Sequence, residues 1–449
     1  MNRRDNEQQA PLQVDARRLI RVLLINVCFL CLVCSFTLST SSAGCSARVV
    51  AVETTRAERL AVFDDVWETI RERYYDPELH GVDWDALRAE LRPLATEASD
   101  ESELYAVLRR LTASLRDAHT RVYTPEERSR WEHPLFITVG LSLREIAGQI
   151  IIARVEHGSE AQRAGVRAGD CVQRVDGKAA SVLLAGRLSE GAGASTERAA
   201  RLQALSHLFE GERGSLVELV LTSREGRAPK TIRLHRHLIV REPALRIQQV
   251  DGCAVIYFNS FTQEIVTELT RTLRGKLGRA RGIILDLREN GGGEAEAMTD
   301  LASAFLPTGT ALGLFTNRRG EIVSAPQTRR TMLLAADAIT SFQGRVVVLT
   351  GTRTASASEI FVAALKEQKR AQIIGEQTCG CVLGIRARHP LPDGGALDLS
   401  ETDYHTASGL RLEGAGVLPD QTITPSLEDF RARRDAALKQ AIALLKTAR

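Results

Sequence analysis

The first folded part of the chain has the hydrophobic spacing of helices. From about residue 56 to residue 124, apolar side chains recur at steps of three and four, beginning with Leu60, Phe63, Val66, Trp67, Ile70 and Tyr74. This spacing places them on one side of a helix, where they can be buried together. Two more helices are predicted at about residues 84–94 and 101–115, with Ser99 and Asp100 as N-cap candidates for the second. We therefore predict a helical N-terminal region over residues 54–130.

A different pattern begins at about residue 134, where short β-type runs alternate with turns until about residue 236. Runs of this kind, bounded by glycine, aspartate and serine, are typical of strands joined by tight turns. The predicted strands span residues 136–143, 149–155, 216–222 and 231–235. We predict a β-rich domain over residues 134–236, inserted between the helical region and the rest of the chain.

Strand-like and helical segments then alternate over residues 243–424, which is typical of an α/β layered domain. The predicted strands cover residues 253–258, 282–287, 345–350 and 372–374, and the predicted helices cover residues 262–277, 294–306 and 356–368. Residues 425–449 have the pattern of an amphipathic, basic helix, which we expect to pack on the protein surface rather than on a membrane. The predicted fold class is α/β, with a helical N-terminal region and a β-rich insertion.

The N-terminal segment, residues 1–45, has the pattern of an export signal. Three arginines at positions 17, 18 and 21 precede an apolar run at residues 22–38, and small residues follow that run. Because the run is close to the minimum length for crossing a bilayer, an uncleaved membrane anchor is the alternative. Ser42-Ala43-Gly44-Cys45 also resembles a lipobox, so a lipid on Cys45 is a second route to membrane attachment. We expect an exported protein, periplasmic or membrane-associated in a bacterial envelope.

The charge and the cysteines exclude several other classes of protein. The net charge is only +3, and no block of lysine and arginine alternates with aromatic residues, so we expect no nucleic-acid partner. Four of the eight cysteines lie beyond the N-terminal segment: Cys171, Cys253, Cys379 and Cys381. Since no cysteine or histidine cluster has zinc spacing, we predict no metal site and no cofactor.

The candidate nucleophile is Ser356, in the segment Gly351-Thr352-Arg353-Thr354-Ala355-Ser356-Ala357-Ser358. This segment follows an apolar strand and opens a helix. A serine on such a turn lies near free backbone amides and the positive end of a helix dipole, which together favour a developing oxyanion. The alternative is that Ser356 or Ser358 serves only as an N-cap, which is a common role of serine at the start of a helix.

Further motifs give the segment a family context. Residues 286–293 end another predicted strand with Asn-Gly-Gly-Gly, and Gly375-Glu376-Gln377-Thr378 and residues 414–420 follow downstream. Together with the Ser356 segment, they resemble the tail-specific, or C-terminal processing, serine proteases of peptidase family S41. The resemblance covers nearly the whole chain beyond the N-terminal segment. It implies a crotonase-like α/β core in which Ser356 is the nucleophile and Gly292 and the Ala357 amide form the oxyanion hole.

The β-rich insertion has its own resemblance. The segment Ser159 to Asp170, with the Asp176-Gly177 turn that follows, is similar to a PDZ domain. Gly140-Leu141-Ser142-Leu143 stands at the position of the family's carboxylate-binding loop, whose amides hold a peptide C-terminus while the peptide adds a strand. The resemblance implies that polypeptide substrates are the partners and that they are recognised through their C-termini.

One position departs from the family pattern. Members with a Ser–Lys dyad carry the lysine in Gly-Lys-Gly, and the matching stretch of this chain is Cys379-Gly380-Cys381-Val382. Cys381 therefore stands where the lysine would be. We expect Cys381 to be a small buried residue; the alternatives are a disulfide with Cys379 and a reactive thiol.

A second branch of the superfamily, that of the tricorn core and the retinoid-binding-protein-like members, offers another base. It uses a histidine from the helical region and a glutamate near the C-terminal Gly-Val-x-Pro-Asp. Asp117-Ala118-His119-Thr120 and Glu413 match those positions. The resemblance implies that His119 deprotonates Ser356 and that Glu413 orients His119, through a bridging hydroxyl. The alternative is that His119 is structural, as the matching histidine is in the lysine branch.

The function predicted from the sequence is serine-type hydrolysis of peptide bonds in exported polypeptides. Two rival hypotheses remain. One is an inactive, peptide-binding pseudoprotease that lost catalysis when Cys381 took the place of lysine. The other is a binder of small apolar ligands in the same cleft, as in the retinoid-binding relatives.

Overall fold

The computed structural model describes residues 55–447, with the exception of residues 131–134, 190–192, 224–227, 241, 278–279, 281 and 330–341. The predicted export signal or anchor, residues 1–45 with Cys45, lies outside the described residues. Within the described ranges, no helix is long and apolar enough to cross a membrane.

The N-terminal region contains the three helices that the hydrophobic spacing predicts. They are α1 (Arg56–Arg73), α2 (Trp84–Glu97) and α3 (Glu101–Ala113), with a 3₁₀ turn at Leu79–Gly81. Asp100 is the N-cap of α3, and its carboxylate accepts a hydrogen bond from the Glu103 amide. The indole nitrogens of Trp67 and Trp84 each donate to the other residue's backbone carbonyl, which ties α1 to the start of α2. Strand β1 (Arg121–Tyr123) and helix α4 (Pro125–Ser129) follow.

The insertion is β-rich, as predicted, and its strands are antiparallel. Its elements in chain order are β2 (Leu135–Thr138), β3 (Leu141–Ile146), β4 (Gln149–Val155), α5 (Glu160–Arg163), β5 (Cys171–Val175), β6 (Lys178–Ala179), α6 (Ala180–Ser189), α7 (Glu197–Ser206), β7 (Leu216–Thr222), β8 (Lys230–His235) and β9 (His237–Val240). The main sheet has the order β3-β4-β5-β7-β8, β6 pairs with β5, and β2 and β9 form a separate pair.

One predicted strand of the insertion is divided in the structure. Residues 136–143 were expected to form a single strand, but β2 ends at Thr138 and β3 begins at Leu141. The break lies at Gly140, whose φ is +75° and whose amide donates to the Thr138 hydroxyl. A left-handed residue cannot continue an extended strand, so β2 and β3 join different sheets.

The α/β domain has the predicted alternation of strands and helices. It contains β10 (Leu245–Val250), β11 (Cys253–Phe258), α8 (Gln263–Arg274), β12 (Gly282–Asp286), α9 (Ala295–Ser303), β13 (Leu314–Thr316), β14 (Ile322–Ser324), β15 (Arg345–Thr350), α10 (Ala357–Glu367), β16 (Ala371–Gly375), β17 (Gly384–Pro390), β18 (Ala396–His405) and β19 (Gln421–Thr422). The central sheet has the order β10-β11-β12-β15-β16-β19, parallel except for β10.

Both faces of the central sheet are covered, as a parallel sheet requires. On one face, Ile256, Leu285 and Val348 share a core with buried residues of α8, α9 and α10. On the other face, Ile284 and Val347 share a core with the last helix of the chain. The sequence predicts one continuous helix at the C-terminus, whereas the structure has two helices, α11 (Leu427–Ala432) and α12 (Ala436–Thr447). The break follows Arg433, which is left-handed and caps α11.

A second, smaller sheet joins the helical region to the α/β domain. Strand β1 pairs with β18, which also pairs with β13 and β17. Strand β17 begins just after Cys381, and β1 begins just after His119. Because both strands pair with β18, the segments of Cys381 and His119 lie close to the same strand. The turn after β15 of the central sheet contains Ser356.

Candidate active site

Ser356 lies where the sequence places it, between β15 and α10. It occupies the N-cap position of α10, is half-buried, and has φ +56° and ψ −126°. A positive φ is uncommon for a residue with a side chain and is found most often where the surrounding structure enforces it. The Ser356 amide donates to the Cys381 carbonyl at 2.8 Å and to Glu359 Oε2 at 3.2 Å. Ser358 differs, because it is fully buried and its hydroxyl donates to Asn290 Oδ1.

The glycine loop after β12 packs directly against this turn. A Cβ atom added to Gly292, whose φ is +105°, would lie 2.8 Å from Ser356 Cβ and 3.1 Å from the Ala357 nitrogen. Close approach is therefore the reason for glycine at this position.

Asn290 holds the two loops together, and the sequence analysis did not identify it. Its Oδ1 accepts from the Gly292 amide at 2.9 Å and from the Ser358 hydroxyl at 2.7 Å, and its Nδ2 donates to the Phe258 carbonyl. Its carbonyl accepts from the Ala355 amide at 3.2 Å. The signal in the sequence was an asparagine just before three glycines, but its partners Phe258, Ala355 and Ser358 are distant in the sequence.

The two predicted oxyanion donors differ in their surroundings. The Ala357 amide is at the first helical position, where backbone amides have no acceptor within the helix and the helix dipole is positive. The Gly292 amide, in contrast, already donates to Asn290 Oδ1. Of the two, Ala357 has the amide better suited to a developing negative charge.

Cys381 is buried as expected, but it is not a free cysteine. Cys379 and Cys381 form a disulfide, with Cα atoms 5.3 Å apart, so the expectation of a simple buried residue is wrong and the disulfide alternative is confirmed. Gly380 between them has φ +76°, which turns the chain back so that the two side chains can meet. The position that the family resemblance assigns to the lysine therefore contains a bonded sulfur atom and no amine.

Glu359 was also missed, and it connects this loop to the nucleophile. Its carboxylate is completely buried in the first turn of α10. It accepts from the Thr378 hydroxyl at 2.5 Å, from the Gly380 amide at 2.8 Å and from the Cys381 amide at 2.9 Å. Burial raises the pKa of Glu359, and the hydrogen bonds act in the opposite direction.

His119 lies in the loop before β1, beside the buried Asp117. The Asp117 carboxylate accepts from the amides of His119 and Thr120 and from the hydroxyls of Thr120 and Ser400. Burial lowers the pKa of the His119 imidazole, while the charge of Asp117 opposes that shift. The imidazole is therefore neutral near pH 7. Among the described residues, its buried Nδ1 has no hydrogen-bond partner.

Glu413 is turned toward the start of β17. Its Oε2 accepts from the Val382 amide at 2.7 Å and from the Leu383 amide at 3.3 Å. Ser195 connects it to the histidine segment, because Ser195 bonds to Glu413 and its hydroxyl oxygen accepts from the Ala118 amide at 3.1 Å. Burial raises the pKa of Glu413 to about 7, and the charges of Asp117 and Glu359 act in the same direction.

This pKa predicts a pH-dependent contribution of Glu413 to stability. Because its folded-state pKa lies above its ordinary value of 4.5, the protonated form is favoured by folding. The stability is fully present below about pH 4.5 and is lost as the pH rises through about 7, for a total of about 3 kcal/mol. The measurement is the free energy of unfolding of wild type and Glu413→Gln across this range. The wild type should lose stability relative to the variant; parallel pH profiles would contradict the assignment.

Residues 140–143 lie at the start of β3, which is an edge strand of the main sheet of the insertion. Leu141 and Leu143 are buried in the core of that unit. Two ion pairs involve β3. Glu145 pairs with Arg201 on α7, within the insertion, and Arg144 pairs with Glu376, which follows β16 in the α/β domain. The insertion therefore contacts the α/β domain through β3.

A polar cavity of about 440 Å³ lies beside Glu413. Its lining includes Tyr75, His80, Arg116, Ser195 and Arg411. Within the ranges that the structure covers, no three His, Cys, Asp or Glu side chains are grouped as metal ligands.

The sequence matches known peptidase domains and C-terminal processing proteases. The pattern of peptidase family S41 matches residues 252–423, and that of the tricorn protease C1 domain matches residues 55–113. The chain is 29% identical over 411 residues to the chloroplastic C-terminal processing peptidase of Tetradesmus obliquus, an alignment that covers 85% of this chain and 80% of that protein. It is 27% identical over 378 residues to the carboxyl-terminal-processing protease of Synechocystis sp., with 81% of each covered.

Solved structures show the same architecture. The photosystem II D1 C-terminal processing protease matches with a TM-score of 0.53 and 26% identity, over 84% of this chain and 98% of that one. Mature CPAF matches with a TM-score of 0.64 at 13% identity, over 87% and 97% of the two chains, and supports the shared fold.

The α/β fold is thus that of a serine-type C-terminal processing protease. Residues 252–423 belong to peptidase family S41, and the relatives of the chain are tail-specific, C-terminal processing proteases.

Proposed function

We propose that the protein is a serine-type endopeptidase that hydrolyses exported polypeptides, with Ser356 as the nucleophile. The observation that carries the proposal is the backbone of Ser356. It is a half-buried serine with a positive φ, at the N-terminus of a buried helix and in contact with a glycine loop. This combination is costly for the fold and useful for acyl transfer, because it presents a hydroxyl beside the first amide of a helix.

In the proposed reaction, Ser356 Oγ attacks the carbonyl carbon of the scissile bond. The negative charge on the carbonyl oxygen is stabilised by the Ala357 amide and by the positive end of α10. Gly292 leaves the space that this oxygen needs, and its amide contributes by sharing its hydrogen bond with Asn290. Water then hydrolyses the acyl-enzyme.

His119 is the proposed base. It is neutral, and a neutral imidazole can accept the serine proton. Its buried Nδ1 has no partner among the described residues, and a catalytic role is one of the explanations for an unsatisfied buried polar atom. In the structure Asp117, rather than Glu413, is the carboxylate beside His119. We therefore assign Glu413 and Ser195 a positioning role, because they hold the start of β17 and the Ala118 amide.

Replacement of His119 by alanine is expected to lower kcat by about 100-fold or more, because it removes the general base. His207→Ala is a matched control, since that histidine is exposed on the insertion and pairs with Glu210. The measurement is the pH profile of peptidase activity. Loss of the rising limb in His119→Ala supports the assignment, whereas an unchanged profile contradicts it.

Recognition of substrate C-termini is proposed for residues 140–143 and the outer edge of β3, where no strand of the described residues pairs. An extended peptide can add to an edge strand through its backbone. Export is proposed from the sequence of residues 1–45 alone, with membrane attachment through that segment or through a lipid on Cys45.

The test of the proposed function is digestion of an unfolded polypeptide by the full chain, with the products identified by mass spectrometry. Hydrolysis that stops with a fluorophosphonate but continues with a chelator supports a serine-type peptidase. Cleavage that continues with the fluorophosphonate, or no cleavage at all, opposes the proposal.

The second candidate is a peptide-binding protein without catalytic activity. The specific observation that favours it is the disulfide at Cys381, which leaves the dyad position without an amine. It predicts that the chain binds polypeptide C-termini but neither hydrolyses them nor reacts with a fluorophosphonate.

A further inference from the structure

The Cys379–Cys381 loop is held by an unusually complete set of hydrogen bonds. The amides of Thr378, Cys379, Gly380 and Cys381 donate, in that order, to the Val417 carbonyl, the Thr354 carbonyl and the two carboxylate oxygens of Glu359. Their carbonyls accept, in the same order, from Arg198, the Thr196 hydroxyl, the Gly414 amide and the Ser356 amide. Every backbone amide and carbonyl of these four residues is therefore hydrogen-bonded to a residue outside the loop.

The last of these bonds is to the candidate nucleophile. The Cys381 carbonyl accepts from the Ser356 amide at 2.8 Å, and Glu359 connects the same two residues a second time. A serine with a positive φ keeps that conformation only while its surroundings enforce it. The position of the Cys381 carbonyl is therefore part of what holds Ser356 in place.

The disulfide contributes little to the fold as a whole. It joins residues only two positions apart, and the stabilisation that a disulfide provides through the unfolded chain is smallest for the shortest loops. The α/β domain also has two hydrophobic cores of its own. What the bond does fix is the geometry of one loop, the loop that contacts Ser356.

We propose that the Cys379–Cys381 disulfide is a redox-active site, opened by a dithiol reductant, and that its opening lowers the reactivity of Ser356. The reductant supplies two electrons and two protons: the bond between the two sulfur atoms breaks, two thiols form, and the dithiol becomes a disulfide. The oxidised form is the competent form, because in it the carbonyl that anchors Ser356 is fixed.

Reduction does not supply a replacement for the missing lysine. The Cys381 amide donates to Glu359, and the amide of the next residue, Val382, donates to Glu413. Two buried carboxyl groups therefore hold the backbone at and beside Cys381. Reduction leaves buried thiols and no amine at this position, and it removes the covalent bond across the loop that anchors Ser356. The expected result of reduction is loss of activity rather than gain.

The experiment compares the full chain before and after treatment with dithiothreitol, with the thiols counted by mass spectrometry. Two readouts are taken: hydrogen exchange of the Ser356, Gly380 and Cys381 amides, and the rate of Ser356 labelling by a fluorophosphonate. After reduction, hydrogen exchange at these amides should accelerate. Labelling of Ser356 should slow by about tenfold or more, which is part of the rate loss caused by removing an oxyanion donor. Reoxidation should reverse both changes.

Two double variants separate the disulfide from the two free cysteines of the described residues. Cys379→Ala/Cys381→Ala should behave like the reduced protein and ignore dithiothreitol. Cys171→Ala/Cys253→Ala removes those two free cysteines and should respond as wild type does.

The redox proposal rests on the proposed peptidase function only in its labelling readout. If Ser356 is labelled in neither state, the peptidase proposal fails, and hydrogen exchange still decides whether the disulfide controls the loop. Complete reduction with unchanged exchange and unchanged labelling would overturn the redox proposal while leaving the peptidase proposal intact.

Discussion

Replacement of Ser356 by alanine is expected to reduce the peptidase kcat/KM by about 1,000-fold or more, because it removes the atom that forms the acyl-enzyme. The variant should keep its fold. Alanine has a Cβ like serine, so the strain of the positive φ is unchanged, and the amide bonds to Cys381 and Glu359 do not involve the hydroxyl. The measurement is kcat/KM on an unfolded polypeptide, together with the thermal unfolding midpoint of the variant.

Ser358→Ala is the informative comparison for this variant. The Ser358 hydroxyl is buried and donates to Asn290, so its loss should affect stability more than chemistry. Wild-type activity in Ser356→Ala, or loss of labelling in Ser358→Ala while Ser356 is intact, would mean that the nucleophile has been assigned wrongly.

Replacement of Gly292 by alanine should be nearly as damaging, but for a steric reason. The added Cβ would lie 2.8 Å from Ser356 Cβ and 2.9 Å from the Ala355 carbonyl oxygen, and φ at this position is +105°. Backbone strain alone costs about 1–3 kcal/mol. Displacement of Ser356 and the Ala357 amide should lower kcat by about 100-fold or more, which is the usual effect of removing one oxyanion donor.

Gly291→Ala is the matched control, because a Cβ at that position meets no atom within 4 Å. The two variants differ by one position in the same loop, so the comparison isolates the approach to Ser356. Equal activity and equal unfolding midpoints in the two variants would contradict the proposed role of Gly292.

The elements that position Ser356 could be predicted because their cause is local. The apolar run at residues 346–349 and the helical pattern from residue 357 give the strand, the turn and the helix without knowledge of the rest of the protein. The same holds for Gly292 at the end of β12. The disulfide remained one of three alternatives, because the Cα separation of two cysteines depends on the backbone of Gly380 between them.

The residues that support the site could not be predicted, because their contacts are distant in the sequence. Asn290 bonds to Ser358, and Ser195 in the insertion bonds to the segment of His119. Glu359 looks like an ordinary residue in the first turn of a helix until the loop of Cys381 folds over it. Hydrophobic periodicity contains no information about such pairs. For the same reason, the bridging hydroxyl expected between Glu413 and His119 could not be identified from the sequence, whereas the structure has the Ser195 hydroxyl bonded to Glu413 and to the Ala118 amide.

The most direct test of the account is the site of covalent labelling. The full, oxidised chain is treated with a fluorophosphonate and digested, and the adduct is located by mass spectrometry. We expect one adduct, on Ser356, that persists in Gly291→Ala and is greatly reduced in Gly292→Ala. A well-folded protein that gains no adduct on Ser356 at any pH would show that this hydroxyl is not an activated nucleophile.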